Sequence, residues 1–119
     1  MPARIQRKRV KGWRAPAEAR YVGRGTRYGN PNRIVRESWG LVVRHDNGGT
    51  VGTFPESEAR RFAVEAYRHH LKAHPELVAA AREDLAGRDL MCWCALPESG
   101  ETDWCHAAVL LAVVAGEQP

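Results

Sequence analysis

The chain has 119 residues, 44% of them hydrophobic and 27% charged. That balance excludes a disordered or fibrous protein and fits one compact domain, in which roughly two-thirds of the unfolded surface is buried on folding. The net charge of +4 is unevenly spread: residues 1–36 carry eleven basic side chains against the single acid Glu18, a local +10, and the remaining 83 residues sum to −6. Such an asymmetry predicts a surface that meets polyanions, either nucleic acid or the phosphates of a nucleotide. A solvated basic arm without a ligand is the alternative.

In chain order, Ile5, Val10 and Trp13 sit in a basic setting and suggest an arm or edge strand over residues 1–18, ahead of a globular core over 19–116. Arg20-Tyr21-Val22 predicts a short strand that runs into Gly23-Arg24-Gly25-Thr26-Arg27-Tyr28-Gly29-Asn30-Pro31. Glycines expose main-chain amides to phosphate oxygens and the arginines add forked donors, so Gly23, Arg24, Gly25, Arg27, Gly29 and Asn30 are candidate phosphate or nucleotide contacts. The glycine spacing is neither a Walker loop nor a dinucleotide fingerprint, and Asn30-Pro31 would make a turn without any ligand.

Leu41 to Arg44 and Thr50 to Phe54, joined by Asp46-Asn47-Gly48-Gly49, predict a β-hairpin. Thr53 and Glu56 match a capping box, opening a helix whose apolar stripe runs through Phe62, Ala63, Ala66, Tyr67 and Leu71 and which stops before Pro75. His69, His70 and His74 fall at its end, where basic side chains suit the last turn. A second helix starts at Pro75-Glu76, buries Leu77, Val78, Ala81 and Leu85, and closes at Gly87. Leu90 to Cys94 predicts a buried strand, and Asp103 predicts the N-cap of a last helix carrying Val109, Leu110, Val113 and Val114. The longest apolar run, Ala107 to Ala115, is about half of the ~20 residues that cross a bilayer. The expectation is a cytoplasmic protein with no membrane partner.

All three cysteines lie in one window, as Cys92-Trp93-Cys94 and Cys105-His106. Alternation along a strand points Cys92 and Cys94 to the same side, and a helix start favours negative charge at Cys105. Three chemistries are open. Cys92, Cys94, Cys105 and His106 can ligate Zn2+, although the spacing departs from the usual structural-zinc patterns. Alternatively, Cys105 is a low-pKa nucleophile or His106 an acid/base group, which makes this pair the candidate catalytic residues. The third reading is three buried thiols that only fill space. Trp13, Trp39, Trp93 and Trp104 can stack on nucleic-acid bases or serve the core.

The order of these features resembles the bacterial and bacteriophage domain of unknown function 4326. The resemblance rests on Tyr21-Val22-Gly23-Arg24 and Tyr28-Gly29-Asn30-Pro31, on the Tyr67 helix with Pro75-Glu76-Leu77, and on Gly87 to Cys94 followed by Cys105-His106 and Val109-Leu110-Leu111. It covers nearly the whole chain. Pro97 to Trp104 looks like a small insertion relative to that family, and Gly40 to Thr53 looks long. The resemblance implies no activity.

Together these readings predict a single α/β domain with a mixed sheet, a β-hairpin insertion and about three helices. If the strand ending at Val22 runs parallel to the strand near Cys94, their loops emerge at one sheet edge, where open α/β sheets bind ligands. The glycine loop and the cysteines then share a cleft. The expected function is nucleotide or nucleic-acid processing of undefined reaction type, with a non-enzymatic nucleic-acid-binding module as the alternative.

Overall fold

Three short strands meet at the centre of the molecule, and the middle one carries the first cysteine. In the computed structural model, which describes residues 2–38, 40–46, 49–54 and 56–119, with the side chains at 50–54, 56 and 57 outside that description, the elements in chain order are β1 (Arg4–Gln6), β2 (Arg20–Tyr21), β3 (Asn32–Glu37), β4 (Gly40–His45), β5 (Thr50–Phe54), α1 (Glu56–Ala73), α2 (Pro75–Asp84), β6 (Leu90–Cys92) and α3 (His106–Val114).

β1, β6 and β2 form a parallel sheet in that order. Leu90, Met91 and Cys92 are all buried, as a central strand covered on both faces requires. The parallel relation of β2 and β6 pairs Tyr21 with Met91, and Val22 N–H extends it by donating to the Met91 carbonyl at 2.9 Å. The loops after both strands therefore leave the same edge.

The α/β class and the three helices match the sequence expectation, while the sheet is in two parts. The expected hairpin, β4 with β5, gains β3 and becomes a separate antiparallel meander, with an irregularity between Val43 and Arg44. β3 escapes a pattern search because it is mostly exposed, with only Asn32 buried, so no apolar alternation marks it. Asn47 and Gly48 of the predicted turn, the Thr53 and Glu56 side chains of the predicted capping box, and Trp39 fall outside the described residues.

The helices close the core. α1 packs on the β3-β4-β5 meander and also touches α2 and α3, so it joins the two sheets, and α3 lies against β6 and β1. Tyr67, Leu71, Leu85, Leu90 and Leu110 are fully buried where these elements meet. α2 begins with Pro75 and buries Leu77, Val78 and Ala81 as expected, and Gly87 takes φ 74° just beyond its end. α3 departs from expectation at its start: Cys105, in extended conformation, is the N-cap residue, and Asp103 does not cap. The Asp103 carboxylate instead receives two hydrogen bonds from Arg4, at 2.6 and 3.0 Å. Among the described residues no helix is long and apolar enough to cross a membrane.

Candidate functional site

The three thiols arrive from three different backbone settings. Cys92 ends β6, Cys94 follows in a bend, and Cys105 stands at the start of α3. Their Sγ atoms all lie within 4.8 Å of one another, with Cys92 and Cys105 at 3.1 Å. The bend at Trp93, in place of the expected continuing strand, returns the Cys94 N–H to the Cys92 sulfur at 3.2 Å. Cys92 and Cys105 are buried and Cys94 is half-buried, so the cluster opens on its Cys94 side. A group of this kind could hold a metal ion.

Shared protons polarise the cluster. Hydrogen bonds from Cys105 and Cys92, with help from Arg60 and His106, hold the Cys94 thiol far below its ordinary value. The same sulfur contacts, together with burial, push Cys105 far up. Both shifts have the same origin, the close contact of three sulfurs in a partly buried group.

Arg4 fixes this arrangement from behind. Its guanidinium is buried and donates to the Cys94 and Ala95 carbonyls, each at 2.6 Å, as well as to Asp103. One side chain on β1 thus ties down the bend bearing Cys94 and the segment leading to Cys105. Arg4 belongs to the basic stretch over residues 1–36 that the charge pattern assigns to a polyanion-binding surface; the structure places it in the interior, out of reach of such a ligand.

His106 opens α3, is buried, and shares a 2.7 Å hydrogen bond between Nε2 and the Val22 carbonyl. Burial pushes its pKa down against the opposing pull of that carbonyl. Its ring meets Tyr67 edge-on at 5.2 Å. Among the described residues the sulfur group contains only the three cysteines; His106, the fourth expected ligand, lines the same cleft with its Nε2 on the Val22 carbonyl.

That loop starts one residue later and is folded back on itself. The Thr26 hydroxyl donates to the Gly23 carbonyl at 2.7 Å, and Gly29 N–H donates to the Thr26 carbonyl. Gly29 has to be glycine for reasons of space, since a Cβ there would lie 2.7 Å from the Gly23 carbonyl oxygen. α1 holds the loop through the Tyr67 hydroxyl, which donates to the Tyr28 carbonyl at 2.7 Å, and through the Ala63 carbonyl, which accepts from the Asn30 amide at 3.0 Å.

Of the six loop residues singled out by sequence, Gly23, Arg24 and Asn30 line a cleft of about 270 Å³ together with Cys92, Cys94, Cys105 and His106. The expected convergence of glycine loop and cysteines is therefore present in the geometry. Arg27 faces elsewhere, over the Tyr28 ring at 6.0 Å and beside Glu83 and Asp84. Gly25 supplies a turn with φ 91°, and neither it nor Gly29 lines the cleft.

The cleft also holds residues that sequence reasoning missed: Tyr21, Asn32, Arg33 and Arg60, with Trp93 and Trp104 as its large aromatics. Arg60, Ala63 and Val64 are spaced to share one face of α1, which was the available signal for Arg60. Arg24 and Arg33, which line the cleft, both approach Asp46, at 3.7 and 3.3 Å, in exposed pairs that a competing anion can replace at small cost. Beyond Trp93 and Tyr21, which line both, lies a second depression with Arg7, Lys8, Arg9 and Trp13. There Arg7 and Arg9 stack over Trp93 at 4.9 and 4.8 Å.

The model of the family described as Domain of unknown function (DUF4326) matches residues 5–116, and the chain belongs to that family. No curated protein and no solved structure matches the chain.

Proposed function

We propose that this DUF4326 domain binds a nucleotide, free or within a nucleic acid, in the cleft and acts on it there, with zinc held at the cysteine group. The observation that carries the reading is the meeting of Gly23 and Arg24 with the three thiols on one cleft. Arg24, Arg33 and Arg60 supply forked donors for phosphate oxygens. Trp93 and Trp104 offer flat apolar faces to a base. The thiol group lies beside both, which suits base, nucleoside or phosphoester chemistry assisted by a metal.

A second reading, a nucleic-acid-binding module without catalysis, draws on the Arg7, Lys8 and Arg9 depression, which carries no acidic lining residue among the described residues. Titrating the protein with mononucleotides and with single-stranded oligonucleotides, followed by tryptophan fluorescence, separates the two. The enzyme reading expects saturable mononucleotide binding that changes little with salt, and its loss in Arg24→Ala combined with Arg60→Ala. Oligonucleotide binding that collapses with salt, without mononucleotide binding, favours the module. Absence of both overturns the cleft as a nucleotide site.

A further inference from the structure

Three sulfurs enclose one side of the candidate metal position, and the cleft forms the other. Cys92, Cys94 and Cys105 come from a strand end, a bend and a helix start, and all three line the cleft. Neither ring nitrogen of His106 joins the sulfur group, and its Nε2 shares a 2.7 Å hydrogen bond with the Val22 carbonyl, while Asp103 is held by Arg4 through both oxygens. Among the described residues no further Cys, His, Asp or Glu joins the group.

Structural zinc sites close their shell with four protein ligands, whereas sites that act on a ligand keep three and leave one position exchangeable. Thiolates select zinc and other soft or borderline ions over magnesium or calcium. A divalent ion with three thiolates carries one net negative charge, and the cationic surroundings here oppose it, with Arg4 behind the cluster and Arg24 and Arg60 lining the cleft. Arg24 and Arg60 also draw an anionic ligand toward the open side.

We propose that Cys92, Cys94 and Cys105 hold a divalent zinc-type ion whose fourth position faces the cleft, carries water, and exchanges that water for an anionic donor. This deepens the cleft reading and rests on it only for the identity of the incoming ligand. His106 is then a positioning residue: it pins the Val22 carbonyl at the root of the glycine loop and does not bind the ion.

The test uses the full chain produced in cobalt-supplemented medium, with azide as the probe of an exchangeable position. About one cobalt per chain is expected, since ligands and ion assemble with the fold, with visible absorption typical of thiolate ligation that azide shifts in a saturable way. His106→Gln keeps the cobalt content, the spectrum and the azide shift. Cys94→Ser weakens cobalt binding by more than ~100-fold, beyond the 10–100-fold range typical of residues that only support a ligand. Failure to retain cobalt overturns the proposal, and so does a spectrum that azide leaves unchanged in the unmodified chain. A spectrum that changes in His106→Gln shows a closed site with His106 as the fourth ligand and overturns it as well. Adenosine monophosphate, added in place of azide, tests the cleft reading separately: an azide shift without a nucleotide effect retains the open position and rejects the nucleotide.

Discussion

Arg4 shows how one side chain can hold a site that it does not line. Its side chain is 4% exposed, its acid partner Asp103 18%, and its remaining donors reach two carbonyls of the bend at Cys94. Removing one member of a buried, hydrogen-bonded pair leaves the other charged and poorly solvated. Arg4→Met is expected to cost roughly 3 kcal/mol in urea unfolding, toward the low end for a broken buried pair because Asp103 keeps some water. Gly29 is a second such position. Gly29→Ala forces a backbone shift against the Gly23 carbonyl, with an expected loss of about 1–3 kcal/mol. Cleft binding should weaken with it, because Gly23 and Arg24 form the opposing wall. Full stability with full binding in that variant would show that the loop does not need its close approach.

At the scale of elements, the helices and the parallel strands were largely legible. The stripe through Ala63, Tyr67 and Leu71 marked α1, and Pro75 and Gly87 bracketed α2. β3 was not legible because its burial is set by neighbours it meets only after folding. The start of α3 was misread for a related reason. Asp103 has a good capping side chain, but Arg4, nearly one hundred residues earlier, takes it.

The end of α1 makes a prediction of its own. His70 lies against the rings of Tyr67 and His74, and burial first, then the neighbouring imidazoles of His74 and His45, push its pKa below the usual 6.5, with Glu76 pulling the other way. The unfolded chain therefore binds a proton more readily than the folded one. Stability from this group is present above about pH 6.5 and is lost as the pH falls through the depressed value. Melting temperature should drop on acidification from neutral pH, and His70→Gln should reduce that dependence. An unchanged slope in the variant would remove His70 from the account.

Over the whole molecule, the steep charge asymmetry of the sequence is partly cancelled in space. Arg4 meets Asp103, Arg20 meets Asp84, and Arg24 and Arg33 meet Asp46. What persists as a basic face is the stretch around Arg7, Lys8 and Arg9, next to Trp93 and continuous with the cleft. If a single strand crosses this face, Arg7→Ala with Arg9→Ala should lower oligonucleotide affinity and flatten the dependence of log affinity on log salt by about 1.4, at ~0.7 per lost phosphate contact. Mononucleotide binding in the cleft should persist. An unchanged salt slope would confine the ligand to the cleft.

Sequence alone determined the α/β class, most helix limits, and the two segments that meet at the cleft, because periodicity, turn residues and cysteine clustering are local signals. The tertiary structure decided which of those residues work together. It brought Gly23 and Arg24 to the three thiols and turned Arg27 away. It buried Arg4 under the cysteine bend and gave the His106 imidazole to the Val22 carbonyl. Each of these outcomes depends on contacts between distant parts of the chain or on the direction in which a loop folds back, and composition and spacing do not encode such distances.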